Sequence, residues 1–239
     1  QLGLGQTQIG DRVGLLQVAA INTAMSSIIK TLTTFPTERA IVQTERSQDT
    51  YGIGPYFASK LVAELPISAL FPNIFSLILI PMSGLNLSPG RVLRFLGITT
   101  LEAFASSALG LLVGAVAPSE DSALAMGPAL MTLFIIFSGF YINSGNIPPY
   151  LKWIKEVSVI KWAFEGLCVN ELTGLRFNCD TRARCPCIET GEQMLERMSF
   201  DKSTVKGAAV GIGRVLAGCY ALTYWRLINS SPRFQPLLE

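Results

Sequence analysis

The chain has 239 residues, of which 49% are hydrophobic and only 15% are charged, and its formal net charge is +2. Soluble domains carry about 25% charged residues, so this composition indicates a protein solvated largely by lipid. The small net charge gives no basis for a nucleic-acid partner. The absence of histidine removes the commonest general base and metal ligand. We therefore predict neither catalytic residues nor a metal site.

Four long stretches of the chain contain no charged residue. They cover residues 13–29, 65–90, 103–119 and 122–151. A helix needs about 20 mainly apolar residues to cross the hydrocarbon core of a bilayer. Backbone polar groups in lipid must also be satisfied within the segment, which favours helices. We therefore predict an all-α, integral, multi-pass membrane protein.

The apolar pattern predicts membrane-spanning helices separated by polar segments. In chain order, five spans are predicted at residues 13–35, 54–85, 92–117, 123–143 and 207–229. Residues 36–52 are predicted to be a cytosolic segment, and residues 144–206 to combine re-entrant or interfacial helices with an external, Cys-containing loop. The chain's ends, residues 1–12 and 230–239, are predicted to be external and cytosolic respectively.

One face of the first predicted helix is partly polar. Asn22, Met25, Ser26 and Ile29 follow the i, i+3, i+4, i+7 spacing that places side chains on one helical face. An asparagine at mid-membrane depth is costly unless it faces protein or a cavity. This face is therefore a candidate for a cavity wall or a helix–helix contact.

Three of the charged residues within the predicted spans are candidates for a functional role. Lys60 and Glu64 are four residues apart near the start of the second helix and can pair with each other. Glu102 lies inside the third helix. Two interpretations of Glu102 stay open: it pairs with an Arg or Lys of a neighbouring helix, or it contacts an ion or substrate.

Two Glu-Arg pairs mark the polar segment between the first two helices. Glu38-Arg39 and Glu45-Arg46 lie seven residues apart, a spacing that aligns them on one face of a short helix. A solvated connector whose charges pair with each other is an equally simple interpretation.

Three cysteines lie close together in the predicted external loop, at Cys179, Cys185 and Cys187. If the loop meets an oxidising compartment, they predict a disulfide. Cys185 and Cys187 are too close to pair easily, so Cys179 would bond one of them and leave the other free. Reduced thiols in a cytosolic loop stay an alternative, whereas a zinc site would need a His or a fourth clustered Cys.

Several short motifs occur in a fixed order along the chain. They are ERSQDTYGIGPYFASK at 45–60, AELP at 63–66, SGFYIN at 138–143, NELTG at 170–174 and TGE at 190–192. Together they resemble the transmembrane domain of the G (White) subfamily of ATP-binding cassette half-transporters, most of all its plant members. The resemblance implies an ABC-2 type fold with six transmembrane helices, of which the five predicted spans would be the second to the sixth.

The same resemblance implies a nucleotide-binding domain that holds ATP and Mg. No G-x-x-x-x-G-K-[ST] phosphate loop occurs in this sequence. We therefore expect the nucleotide-binding domain and the first transmembrane helix to lie outside this chain. The chain itself is expected not to be an enzyme, although the full-length protein would be an ATPase-coupled transporter.

The resemblance also implies where a substrate would bind. Members work as homodimers or heterodimers, with the substrate held on the two-fold axis between the second and fifth helices. The residues at the matching positions are implied to have four roles: cavity wall (Asn22, Met25, Ser26, Thr132, Ile135), gate (Phe140, Tyr141), coupling to the nucleotide-binding domain (Glu38, Arg39, Glu45, Arg46) and disulfide (Cys179, Cys187).

We therefore predict the membrane-spanning part of an ATP-driven exporter that moves lipophilic or amphipathic small molecules by alternating access. Lipids, sterols, terpenoids or xenobiotics are the expected cargo. The plasma membrane is the expected location, with an organelle membrane as the alternative. Two alternatives stay open. One is an ion-coupled secondary transporter that uses Lys60, Glu64 and Glu102, and the other is a truncated regulatory partner subunit.

Overall fold

The structure is a computed structural model, and it describes residues 3, 5–47, 53–142, 148–177 and 188–229. Regular structure within these residues is helical, apart from isolated bridges such as the one between Arg176 and Thr190. The elements are α1 (Gln6–Ser47), α2 (Ile53–Ser83), α3 (Pro89–Val116), α4 (Glu120–Ile136), a 3₁₀ turn (Pro149–Leu151), α5 (Lys152–Val157), α6 (Val159–Leu172), α7 (Gly191–Arg197) and α8 (Val205–Asn229). The predicted all-α fold class is confirmed.

Helix α3 lies at the centre of the bundle and packs against α1, α2, α6 and α8. Its small residues allow this close packing. A methyl group added at Gly110 would lie 2.9 Å from Cβ of Thr31, and one added at Gly114 would lie 2.7 Å from the Phe35 ring. Small residues at such contacts let membrane helices approach each other closely.

Four helices are long and apolar enough to cross a membrane among the residues that the structure describes. They cover Gln8–Phe35, Gly54–Ser83, Pro89–Val116 and Val205–Asn229. The fifth predicted span corresponds to α4, which has 17 residues and therefore rises about 26 Å. That length is at the lower limit for a spanning helix.

Two helices differ in length from the predicted spans. Helix α1 continues without interruption through Pro36 to Ser47, so the predicted span 13–35 and much of the polar segment form one helix. A proline is tolerated there because neighbouring groups in a membrane bundle can satisfy the carbonyl that it frees. Helix α4 ends at Ile136 rather than near residue 143, and Gly139 follows with a φ of 99°. This left-handed conformation favours glycine and ends the helix.

Helix α6 is buried on nearly all sides. Its core residues include Phe164, Leu167 and Leu172, and it packs against α1, α3, α4 and α8. The sequence predicted re-entrant or interfacial helices in this region. The structure places α6 inside the bundle, whereas Trp153 of the preceding α5 is exposed.

A candidate substrate face and the contacts that position it

The predicted polar face of α1 points away from the core of the chain. Asn22 and Ser26 are exposed and Met25 is half-buried, whereas Leu16, Ala20, Ala24, Ile28 and Leu32 on the opposite face are buried. The Ser26 hydroxyl donates to the carbonyl of Thr23 at 3.1 Å, so its own helix satisfies it. The amide of Asn22 remains available on the surface of this chain.

The two predicted cavity residues of α4 differ in exposure. Thr132 is exposed, and its hydroxyl donates to the Pro128 carbonyl at 2.9 Å. Ile135 is half-buried and packs against the core. Met131, which precedes Thr132, is fully buried. On this side of α4, Thr132 and part of Ile135 therefore reach the surface, whereas Met131 belongs to the core.

Two contacts fix the antiparallel register of α1 and α4. Near one end, the Gln17 side-chain amide donates to the Ser138 hydroxyl at 2.9 Å. Near the other, a methyl group added at Gly127 would lie 2.2 Å from Leu32, so the two helices approach closely there. This register brings residues 22–26 and 132–135 to the same depth in the bundle.

The two predicted gate residues follow the end of α4. Phe140 is partly exposed, and its ring lies 6.0 Å from the Phe164 ring in an edge-to-face arrangement. Tyr141 is exposed, and its ring lies 5.0 Å from that of Phe140. The Phe140 amide donates to the Ser138 hydroxyl at 3.5 Å. Both rings therefore stand at the same end of the bundle as the start of α1.

A buried ion pair fastens α1 to α6 at this end. Arg12 Nη1 lies 2.5 Å from Glu171 Oε1, and both side chains are almost fully buried. The same carboxylate accepts from the backbone N–H of Asn86, in the turn between α2 and α3. A buried charge is stable only when it is paired and hydrogen-bonded. Glu171 therefore joins three elements that are distant in sequence.

The neighbouring Arg91 strengthens this junction. Its guanidinium donates to the carbonyl of Glu171 at 2.9 Å and to that of Thr173 at 2.6 Å, which are carbonyls at the end of α6. In return, the Asn170 side-chain amide donates to the Arg91 carbonyl at 3.0 Å. The NELTG sequence at 170–174 thus acts as a structural clamp at one end of the bundle.

The TGE sequence at 190–192 docks onto the same clamp. Thr190 caps α7 through a reciprocal capping box with Gln193. Gly191 lies so close to α6 that an added methyl group would be 1.9 Å from the Leu172 carbonyl oxygen. The N–H of Gly174 donates to Glu192 Oε1 at 2.8 Å. This bond holds the pKa of the Glu192 carboxyl below its usual value.

Lys60 organises the charges at the other end of the bundle. Its ammonium pairs with Glu38 of α1 and, at 2.9 Å, with Glu64 one turn later in α2. The predicted pairing of Lys60 with Glu64 is therefore present. Glu38 is a predicted coupling residue, and the structure pairs it with Lys60. The side chains of the other three predicted coupling residues, Arg39, Glu45 and Arg46, lie outside the described residues.

Glu102 has no hydrogen-bonding partner among the residues that the structure describes. Its side chain is 0% exposed, and both carboxylate oxygens lack a bond. The hydroxyls of Thr23, Ser106 and Ser107 are likewise buried without a partner in the described part of the chain. The interpretation that Glu102 pairs with a basic residue of a neighbouring helix is not supported by these contacts.

The predicted disulfide, Cys179 with Cys187, lies outside the described residues. Two other cysteines, Cys168 in α6 and Cys219 in α8, are buried free thiols. Sequence reasoning missed the role of Arg12, because its partner Glu171 is far along the chain. It also missed the buried pair Lys161–Glu165, although the i, i+4 spacing of two opposite charges was a usable signal.

Comparison with known proteins agrees with this architecture. Residues 1–172 match the family described as ABC-2 type transporter. The chain belongs to the ABC-2 type transporter family. The predicted resemblance to the membrane domain of G-subfamily transporters, which rested on the ordered motifs, is confirmed.

Several relatives of this ABC-2 chain carry G-family or White names. It is 48% identical over 237 residues to ABC transporter G family member 7 of Arabidopsis thaliana, covering 99% of this chain and 32% of that relative. It is 30% identical over 237 residues to Protein white of Ceratitis capitata (97% and 35% covered) and 29% over 231 residues to Protein white of Drosophila melanogaster (95% and 34%). The chain thus spans about a third of the length of these relatives.

Proposed function

We propose that this chain is the membrane-spanning part of an ATP-driven exporter that moves lipophilic or amphipathic small molecules by alternating access. The observation that carries the proposal is the exposed polar face of α1, with Asn22 and Ser26, at the same depth as exposed Thr132 of α4. The hydroxyls of Ser26 and Thr132 are bonded within their own helices, but an exposed amide such as that of Asn22 is costly against lipid tails at this depth and favourable against protein or a cavity.

A second half-transporter subunit supplies the other wall in this proposal. Most homo-oligomers have a two-fold axis, across which the same surface of both subunits meets. Two copies of the α1–α4 face, including Met25 and Ile135, would enclose a mainly apolar space with a few polar groups. Such a lining suits amphipathic cargo, and the flexible Met25 side chain adapts to varied shapes.

The remaining predicted roles belong to residues at the two ends of the bundle. Phe140 and Tyr141 would close the space at the end that the family resemblance assigns to the outside, most simply of the plasma membrane. Glu38, Arg39, Glu45 and Arg46 would transmit the motion of a nucleotide-binding domain at the opposite end. That domain, outside this chain, would hold ATP and Mg, and a Cys179–Cys187 bond would brace the external loop.

The test uses the full-length transporter in lipid vesicles, with ATP hydrolysis measured against a panel of lipophilic compounds. We expect some compounds to stimulate hydrolysis, and the double variant Asn22→Ala, Thr132→Ala to lose this stimulation while basal hydrolysis persists. The matched control is Asn73→Ala, Thr100→Ala, which removes the same residue types from a hydrogen-bonded pair between α2 and α3. If both variants behave alike, the face formed by Asn22 and Thr132 is not the substrate site.

One observation favours an ion-coupled mechanism as the second candidate. Glu102 is buried without a partner in the described part of the chain, and intramembrane carboxyls often mark ion or proton pathways. Lys60 and Glu64 fit this role less well, because they already pair with each other. Transport that follows a proton gradient after ATP depletion, and that Glu102→Gln abolishes, would support this candidate over the exporter.

A further inference from the structure

A groove runs between α1 and α2, next to the polar face of α1, to which Ser26 also belongs. It consists of two adjoining cavities of about 270 and 320 Å³, which share Lys30 and Ile67 in their lining. We call the two together the α1–α2 groove. Few residues of α1 and α2 are in direct contact, and the pair Lys60–Glu38 and the hydrogen bond from Lys30 to Ser68 cross the groove.

The half of the groove around Lys60 is polar, and charged side chains line it. Glu38 and Glu64 both pair with Lys60, so two carboxylates share one ammonium. One oxygen of Glu64, Oε2, is buried and has no hydrogen bond among the described residues. Among the described side chains, Glu38, Lys60 and Glu64 therefore carry an excess of one negative charge and retain acceptor capacity for a further cation.

Lys30 carries the opposite excess at the middle of the groove. Its ammonium donates to the Ser68 hydroxyl at 3.3 Å, and no carboxylate of the described residues lies within 4.0 Å of it. Pro72 also lacks the backbone N–H that would bond the Ser68 carbonyl in a regular helix. Lys30 is thus a partly buried cation that faces hydroxyl groups and an open cavity.

The other half of the groove is apolar. Its lining includes Ile67, Phe71 and Pro72, with Ser26 and Ser27 opposite. The side chains of Ile67 and Phe71 are 51% and 65% exposed, so they are uncovered by this chain. This half lies towards the middle of α2, deeper in the bilayer than the polar half.

We propose that the α1–α2 groove binds one zwitterionic phospholipid. The phosphate would accept hydrogen bonds from Lys30 and Ser68, the ammonium would lie towards Glu38 and Glu64, and an acyl chain would lie along Phe71. From the Lys60 end of the groove towards its middle, the lining changes from the carboxylates to Lys30 and then to the apolar wall. This order matches the order of ammonium, phosphate and acyl chain in a lipid of the adjacent leaflet.

The depth of Lys30 agrees with a phosphate partner. The sequence of α1 turns polar after Phe35, with Pro-Thr-Glu-Arg at 36–39, so Lys30 lies about 7–8 Å inside that end at the helical rise per residue. A lysine stem spans a comparable distance and carries its ammonium towards the headgroup layer. A charged side chain at this depth is more stable against a phosphate than against hydrocarbon.

The charges also discriminate between lipids. A purely anionic lipid would satisfy Lys30 but would leave the excess carboxylate charge beside Lys60 unmatched. The four charged groups Lys30, Lys60, Glu38 and Glu64 sum to zero and are arranged as a dipole, which is complementary to a zwitterion. Phosphatidylethanolamine, whose ammonium has three donors, fits this arrangement better than phosphatidylglycerol.

The test measures lipid binding to the purified full-length protein by native mass spectrometry, without ATP. Phosphatidylethanolamine and phosphatidylglycerol with identical acyl chains are titrated separately. We expect one phosphatidylethanolamine to bind per protomer more tightly than phosphatidylglycerol. Lys30→Gln should weaken its binding about tenfold and Ser68→Ala about threefold, in line with the loss of a charged and of a neutral hydrogen bond.

Two further variants sharpen the result. Lys206→Gln removes an exposed lysine at the start of α8 and should leave lipid binding unchanged. Glu64→Gln should reduce the preference for phosphatidylethanolamine over phosphatidylglycerol, because it removes the excess negative charge. Equal binding by the Lys30→Gln and Lys206→Gln proteins would overturn the proposal, as would tighter binding of phosphatidylglycerol by the unmodified protein.

This site shares only Ser26 with the proposed exporter cavity. The groups proposed to hold the headgroup, Lys30, Ser68 and the carboxylates beside Lys60, do not belong to that cavity. Because binding is measured without ATP, a negative lipid result says nothing against transport. A transporter whose ATP hydrolysis ignores every compound would equally leave the lipid measurement intact. The two proposals can therefore fail separately.

Discussion

Helices α2 and α3 are both long, apolar and able to span a membrane, yet they have different surroundings. In the most apolar window of α3, 67% of the residues are buried inside the chain, compared with 22% in α2. The difference lies in residue size rather than polarity. Buried positions of α3 are rich in small residues: Ala103, Ala105, Ser106, Ser107, Ala108, Gly110 and Gly114.

The exposed positions of α2 instead carry large apolar side chains. They include Leu65, Leu70, Phe71, Ile74, Leu77 and Ile78. In lipid there is no hydrophobic drive to bury such residues against protein, because the acyl chains are equally apolar. Close helix contacts in this chain therefore depend on small residues and on buried polar bonds. The following predictions test that distinction, starting with the largest expected effect.

Loss of Arg12 should be the most damaging single change on the packed side. Arg12→Met leaves the Glu171 carboxylate buried beside α1 without its cation. Breaking a buried pair in this way costs about 3–5 kcal/mol. We expect a large fall in the midpoint of thermal unfolding of the full-length protein in detergent. Arg214→Met, at an exposed position of α8, is the matched control, and an equal fall in both would contradict the role of the clamp.

Two glycines of α3 allow the same substitution to be compared at a packed and at an open position. A methyl group added at Gly110 lies 2.9 Å from Cβ of Thr31 and 3.2 Å from the Ile28 carbonyl oxygen, whereas one added at Gly97 has no neighbour within 4 Å. Overpacking costs about 1–3 kcal/mol, and alanine gains about 1 kcal/mol of helix propensity over glycine.

Gly110→Ala should therefore lower the thermal midpoint, and Gly97→Ala should raise it or leave it unchanged. Both thermal midpoints are measured in the same unfolding experiment. A stabilising Gly110→Ala would mean that α1 and α3 are not in close contact at this depth.

The buried hydroxyl pair between α2 and α3 should have a small effect. Ser76 and Thr99 lie 3.3 Å apart, and both are 0% exposed. Hydrogen bonds between membrane helices average about 0.6 kcal/mol. A double-mutant cycle with Ser76→Ala and Thr99→Ala should give a coupling energy near this value. A coupling above about 2 kcal/mol would show that α2 depends on polar bonds far more than typical membrane helices.

The smallest effect is expected on the lipid-facing side of α2. Leu77 is 54% exposed, so Leu77→Ala exchanges contacts with lipid and should change the thermal midpoint little. Leu111→Ala, on a fully buried residue of α3, removes the same atoms and should cost about 2–5 kcal/mol. If the two changes are equally destabilising, another part of the assembled protein covers the exposed side of α2.

Much of the helical framework could be predicted because the spans are apolar and uncharged. The position of α6 could not. Lys161, Glu165, Asn170 and Glu171 give it the composition of an interfacial helix, but each has a partner inside the bundle. Lys161 and Glu165 pair with each other within α6, but the partners of Asn170 and Glu171 come from elements far along the chain, so a local pattern gives no sign of them. The early end of α4 depended on the φ of Gly139, which sequence alone does not specify.

The candidate site was likewise predictable only in part. Helical spacing predicted that Asn22 and Ser26 share a face, and both are exposed. Spacing did not reveal that Met131 is buried while Thr132 is exposed, because that depends on how α4 is rotated against α1. Nor did it reveal that Glu38 pairs with Lys60, since the partner belongs to the next helix.

The unbroken length of α1 has a mechanical consequence. Its 42 residues make a rod of about 63 Å, roughly twice the thickness of the hydrocarbon core. The part beyond Phe35 extends about 18 Å from the apolar span. A rotation of about 10° around Phe35 would therefore displace the far tip by about 3 Å, and the opposite arm, which carries Asn22, would swing the other way. Because the helix is continuous, a force at one end is transmitted to the other through the turn that contains Pro36.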